Sequence, residues 1–200
     1  MFEPLPPRMR TALAAIALIA FAMIVRSAFL PAFNTQAVVA SPYDAPFDLI
    51  DQDNHPFANS SLEGAPRVLF FGYTSCPDIC PTTLADLSRW IAAAKPTRTK
   101  FAFVTVDPAR DTPTALKSYL SAFDGRIIGL TGAPANISKM LDDYHVFRQR
   151  VPSQDGSYSM NHTATVFLVD ARGNLRDTIA LGESDRSAIA KLKRLDGGAS

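Results

Sequence analysis

From Phe47 onward the chain alternates short apolar runs with amphipathic stretches. "FDLIDQDNHPFA" (47–58) sets apolar residues on both sides of Asp, Gln and Asn, the residues of tight turns, and predicts a hairpin. "RVLFFGY" (67–73) is almost wholly apolar, as in a strand buried on both faces. Leu84, Leu87, Ile91 and Ala94 then recur at helical spacing, and Pro96 ends that helix. "KFAFVTVD" (100–107) predicts a second buried strand. Thr112 as N-cap with Pro113 in the first turn predicts a helix reaching Phe123. "RIIGL" (126–130) reads as a third strand. "PANISKMLDDYHVF" (134–147) reads as a helix, with Ile137, Met140, Leu141 and Tyr144 as its apolar face. "RQRVPSQDGSYSM" (148–160) reads as an inserted hairpin. "TATVFLVDARGNL" (163–175) gives strand, turn at Arg172-Gly173, strand, and a last helix starts near Ser184 and frays in "DGGAS". Strands alternating with helices, closed by a hairpin, specify a three-layer α/β domain.

Ahead of this domain the pattern changes. Thr11–Val25 is uncharged and mostly apolar. Alone it is short for a hydrocarbon layer of about 30 Å. Extended to Leu30, with Arg26 snorkelling towards the headgroups, it spans. Arg8 and Arg10 then stay in the cytoplasm. The expectation is a single-pass anchor in the inner (cytoplasmic) membrane, with the C-terminal domain on the periplasmic or extracytoplasmic side. A cleaved signal ending near "AVVA" (37–40) and a buried N-terminal helix are the rival readings. The expected organisation is a cytoplasmic tip and anchor over 1–35, a linker over 36–46, a folded domain over 47–195 and a disordered tail over 196–200. Charge is nearly balanced, 20 basic residues against 19 acidic, which argues against a nucleic-acid partner.

Only two cysteines are present, so a framework of structural disulfides is excluded. Both lie in "FFGYTSCPDICPTTL", each followed by proline. Pro77 drives Cys76 towards an extended conformation at the strand end. Pro81 fits the first turn of a helix, which puts Cys80 at or near the N-cap. There the helix dipole favours thiolate, while Asp78 opposes it unless it caps the helix or faces solvent. The spacing is Cys-x3-Cys, not the Cys-x2-Cys of dithiol oxidoreductases. Two thiolates suit Cu(I), zinc or a similar soft metal, and a third ligand completes a trigonal site. His162 precedes the strand predicted at Thr163. If that strand runs antiparallel to 67–73, His162 meets the cysteines at one sheet edge. His55, His145 and Met160 are the other candidate ligands. Asp107 and Asp111, in "VDPARDTP", are candidates to orient His162 or to bind a partner; alternatively they shape the turn. Arg110 is the cation that a peroxide-reducing cysteine would need.

"FFGYTSCPDICPTTL", "VTVDPARDTPTAL" and "NHTATVFLVDARGNL", in this order, resemble the Sco/SenC family of copper-binding proteins. The resemblance covers the chain from about Phe47 to the last helix. It implies a thioredoxin-like fold, a membrane anchor and a role in assembling the copper centre of cytochrome c oxidase. It implies Cys76, Cys80 and His162 as ligands of a copper ion, Cu(I) or Cu(II), and the copper-centre subunit of the oxidase as partner. Family members often carry Asp before that histidine; Asn161 stands there in this chain. Two further activities fit the same cysteines: reduction of a partner's metal-binding cysteines, and peroxide reduction. The first needs Cys76 and Cys80 but not His162. The second leaves the cysteine pair and His162 unexplained.

Overall fold

The computed structural model describes residues 41–198, and ahead of them Pro6, Leu13, residues 16–21 and Met23. The expected anchor therefore lies largely outside the described residues. Leu13, residues 16–21 and Met23 are helical and exposed, and no described helix is long and apolar enough to cross a membrane. Residues 41–198 form one compact unit with its own hydrophobic core.

That unit is built on a seven-stranded sheet. Strands β1 (Asp48–Asp51) and β2 (Pro56–Ala58) form the predicted antiparallel hairpin. They are followed by β3 (Arg67–Gly72), helix α1 (Ile79–Ala94), β4 (Lys100–Thr105) and α2 (Pro113–Leu120). Next come β5 (Ile127–Thr131), α3 (Pro134–Asp143), β6 (Arg148–Pro152) and β7 (Tyr158–His162). The chain closes with β8 (Val166–Val169), β9 (Leu175–Ile179) and α4 (Asp185–Asp196). Spatial order is β2-β1-β5-β4-β3-β8-β9, while β6 and β7 form a separate two-stranded sheet. β3, β4 and β5 are parallel; β1 and β8 run against their neighbours in that set.

The central strands explain the layering. All six residues of β3 are buried. Phe70 meets Phe103 at 5.9 Å between ring centroids, and Phe103 meets Tyr119 of α2. Phe71, pointing to the opposite face as strand alternation requires, packs on Phe167 and Tyr144. α4 packs against α1, β8 and β9. Fold class is thus the thioredoxin-like three-layer α/β arrangement with an added N-terminal hairpin and an inserted one.

Several boundaries differ from the sequence reading, among them the end of α3, which stops at Asp143 instead of reaching Phe147. α2 stops at Leu120, because Phe123 and Asp124 instead turn the chain through bonds to the Leu120 carbonyl and Ser88 Oγ. β8 starts at Val166, and His162 belongs to the inserted hairpin. Tyr43 and Asp44 are docked on the domain rather than part of a loose linker. The Arg67 guanidinium, buried at the start of β3, donates to the Tyr43 carbonyl and to Asp44 Oδ1, and Tyr144 Oη donates to the same Tyr43 carbonyl. Asp196 is a fixed helix end, not the start of a tail. Its carboxylate accepts from the backbone N–H groups of Thr97, Arg98 and Thr99 at 2.8–3.0 Å.

Candidate metal centre

Parallel strands β3 and β4 end at the same edge of the sheet, and β8, antiparallel to β3, begins there. Cys76 lies in the turn after β3, its N–H donating to the Tyr73 carbonyl. Asp78 occupies the N-cap position of α1 and is exposed, so Cys80 sits in the first helical turn, two residues past the cap. Cys80 is fully buried and Cys76 half-buried. The Cys80 N–H, one of the four donors a helix start leaves unpaired, points at Cys76 Sγ, 3.4 Å away. Both thiols are free.

Gly72 makes the approach of the helix possible. A Cβ at this position would stand 2.9 Å from Cys80 Sγ and 2.7 Å from the Phe103 ring. In the sequence this glycine is one residue of an apolar strand. An isolated strand glycine often marks close approach by another group, and that was the available signal.

The third donor arrives from β7. His162 Nε2 is 3.5 Å from Cys80 Sγ, and the donor atoms of Cys76, Cys80 and His162 all lie within 4.8 Å of one another. His162 Nδ1 is 2.9 Å from the Thr163 carbonyl. That contact requires Nδ1–H as donor, which leaves the Nε2 lone pair facing the thiols. Burial lowers the His162 pKa and outweighs the Thr163 carbonyl, so the ring is neutral at pH 7. The Tyr73 ring meets the His162 ring edge-on at 5.8 Å. Bonds of about 2.0–2.3 Å from a metal to thiolate and imidazole place the donors of a trigonal site roughly 3.5–4 Å apart. The observed cluster needs only a small contraction to reach that, so the residues fit a metal.

The thiolate-favouring effect expected of the helix start does not prevail at Cys80. Burial pushes the Cys80 thiol well up, and the neighbouring Cys76 adds to this, beyond what the Tyr73 backbone offsets. Sequence placed the sulfur at the helix mouth but not its depth in the core.

Asp107 and Asp111 are both buried, and neither bonds to His162. Asp111 accepts from the Thr74 N–H, from Thr74 Oγ1 at 2.6 Å and from Thr105 Oγ1 at 2.6 Å. It thereby fixes the residue two before Cys76 to the end of β4. Asp107 bonds Arg110 Nε and accepts from Tyr158 Oη at 2.9 Å. His55 is exposed beside Asp51 in the N-terminal hairpin. His145 is exposed just past α3, in a left-handed conformation (φ 52°). Met160 packs against the core. Among the described residues, Cys76, Cys80 and His162 form the group able to hold a metal.

Comparison with known proteins agrees with this geometry. The sequence matches the SCO1/SenC family over residues 35–196. The chain belongs to the SCO1/SenC family. A SCO2-like protein of Rickettsia conorii is 36% identical over 151 residues, covering 74% of each chain. The copper-bound structure of Bradyrhizobium japonicum ScoI is 41% identical, with a TM-score of 0.70, over 76% of this chain and 98% of that one. The copper-bound structure of yeast Sco1 is 31% identical, with a TM-score of 0.68, over 74% of this chain and 84% of that one.

Proposed function

We propose that this chain binds copper through Cys76, Cys80 and His162 and delivers it to the copper centre of cytochrome c oxidase. The convergence of two thiols and an unprotonated imidazole nitrogen within 4.8 Å carries this reading. The copper-bound Sco relatives supply the identity of the metal. Two thiolates and a neutral imidazole give a site of net charge −1 with Cu(I) and 0 with Cu(II). Loading displaces the proton that burial holds on Cys80. Oxidation of both thiolates by a partner disulfide, with two electrons passing to that disulfide, forms a Cys76–Cys80 bond and removes two of the three ligands. Copper loading is thus gated by thiol redox state.

A second reading is favoured by the unequal exposure of the two sulfurs. Cys76 is accessible and Cys80 is not, the arrangement of an attacking thiol and a resolving one. In that role the protein reduces the metal-binding cysteines of its partner. Peroxide reduction is disfavoured, because it leaves the second cysteine and His162 without a role, while Arg110 bonds Asp107 through Nε and the Tyr158 carbonyl through Nη1. The exposed apolar residues Leu13, Ile16, Leu18, Ile19, Phe21 and Met23 support a membrane anchor. On this reading the anchor holds the domain on the extracytoplasmic face, and carbonate washing should leave the protein on the membrane.

The two activities separate at His162. Copper-loaded protein is mixed with the metal-free copper-centre subunit of the oxidase, its cysteines already reduced. Delivery requires that copper moves to the subunit and that His162→Ala abolishes transfer. If the protein instead reduces the oxidised subunit catalytically without copper, and His162→Ala retains that activity, the reductase reading replaces it.

A further inference from the structure

The ligand His162 stands on a sheet that is not joined to the seven-stranded one. A two-stranded hairpin is marginally stable by itself, so something else must fix the rotation of β7. Strand alternation puts Tyr158, Met160 and His162 on one face of β7. Met160 packs on the core, and His162 faces Cys80. Tyr158 meets Arg110. The guanidinium carbon of Arg110 lies 3.7 Å from the centroid of the Tyr158 ring, and Arg150 covers the ring at 3.5 Å. Arg110 Nη1 donates to the Tyr158 carbonyl at 2.9 Å. Asp107 holds both partners, bonding Arg110 Nε and accepting from Tyr158 Oη. Arg110 also lies over Tyr73 at 5.6 Å, the ring whose other neighbour is His162.

We infer that Arg110, backed by Asp107, is a positioning residue for the metal site: it clamps Tyr158 and so sets the rotation of β7 that aims His162 at the two thiols. This rests on the copper-site reading above. The clamp and the ligand are four residues apart on one strand, so turning Tyr158 turns His162 with it. Without the clamp the two cysteines keep their places, since Asp111 and the start of α1 hold them independently. The third ligand is then presented loosely. Arg is specific to this role. A lysine keeps a charge for Asp107 but cannot stack on the Tyr158 ring while bonding its carbonyl.

The test uses the full chain in detergent, as wild type, Arg110→Lys, Tyr158→Phe and His162→Ala, with the double variant Arg110→Lys/His162→Ala. Copper affinity is measured by competition with a chelator, together with the Cu(II)–thiolate absorption and Cu(II) magnetic-resonance spectra. Loss of a group that orients a ligand typically costs 10–100-fold in metal affinity. Arg110→Lys is expected to weaken copper about tenfold and to shift both spectra towards those of His162→Ala. Tyr158→Phe, which keeps the stack and loses the bond to Asp107, should lie between it and wild type. In the His162→Ala background Arg110→Lys should cost nothing further, because Arg110 acts through His162. Equal loss in both backgrounds, or unchanged affinity and spectra in Arg110→Lys, overturns the inference. Amide exchange of β7 in the copper-free chain reports on the clamp without metal. It should quicken in Arg110→Lys, and unchanged exchange counts against the clamp. Failure of wild type to bind copper would instead sink the copper-site reading.

Discussion

At the scale of single residues the site is a compromise between burial and reactivity. Cys80 is seated against the bare backbone of Gly72, in space that a methyl group would occupy. Gly72→Ala should therefore push the sulfur and Phe103 apart. The expected cost is about 1–3 kcal/mol of stability, with weakened copper binding, read by thermal unfolding and chelator competition. Burial raises the Cys80 pKa, so the folded copper-free chain holds that proton when an unfolded chain has begun to lose it. Stability from this source is complete below the unfolded thiol's pKa, near 9, and falls as pH rises above it. Copper binding has the opposite slope. Each proton displaced adds up to about tenfold in affinity per pH unit, so chelator competition between pH 6 and 8 should show copper held more tightly at higher pH. Burial lowers the His162 pKa, so this ligand competes for protons less than a free imidazole would.

At the scale of elements, caps and tethers decide what moves. Asp196 closes α4 onto the turn before β4 by accepting three backbone N–H groups and Thr99 Oγ1, and these bonds hold its pKa down to about 2 despite partial burial. A depressed carboxyl stabilises the fold above the unfolded value of 3.8 and loses that contribution as pH falls towards 2. Asp196→Ala should cost about 1–2 kcal/mol at pH 7 and flatten the acid limb of the stability curve, as read by urea unfolding. This element was illegible in the sequence, where "DGGAS" suggested fraying; the partners of Asp196 lie nearly a hundred residues away. By contrast β3, β4 and β5 were legible because buried parallel strands are written as unbroken apolar runs. The start of α2 was legible because Thr112-Pro113 is a local signal, and Thr112 Oγ1 does accept from the Ala115 N–H. Cys76, Cys80 and His162 were legible as candidates from residue type, position at strand ends and family resemblance. The depth of Cys80, the ties from Asp111 to Thr74 and the clamp on Tyr158 were not. Each depends on which side chains the fold brings together across long stretches of chain.

At the scale of the whole molecule, one edge of the sheet gathers Cys76 from the β3–α1 turn, Cys80 from the first turn of α1 and a histidine from a hairpin outside the sheet. On the proposed function the cysteines supply a redox-sensitive pair and the hairpin completes the metal site, so copper binding should require both the reduced pair and His162. Ligands on two separately held segments also give a release route, since withdrawing either one opens the site. The most direct measurement is copper bound per molecule, by equilibrium dialysis of the full chain, in wild type reduced, wild type oxidised to the disulfide, and reduced His162→Ala. The expected result is close to one copper in the reduced wild type, and a large loss on oxidation and in the variant. Copper retained by the oxidised protein, or binding indifferent to His162, would contradict a redox-gated three-ligand site and leave the cysteine pair as a thiol–disulfide centre.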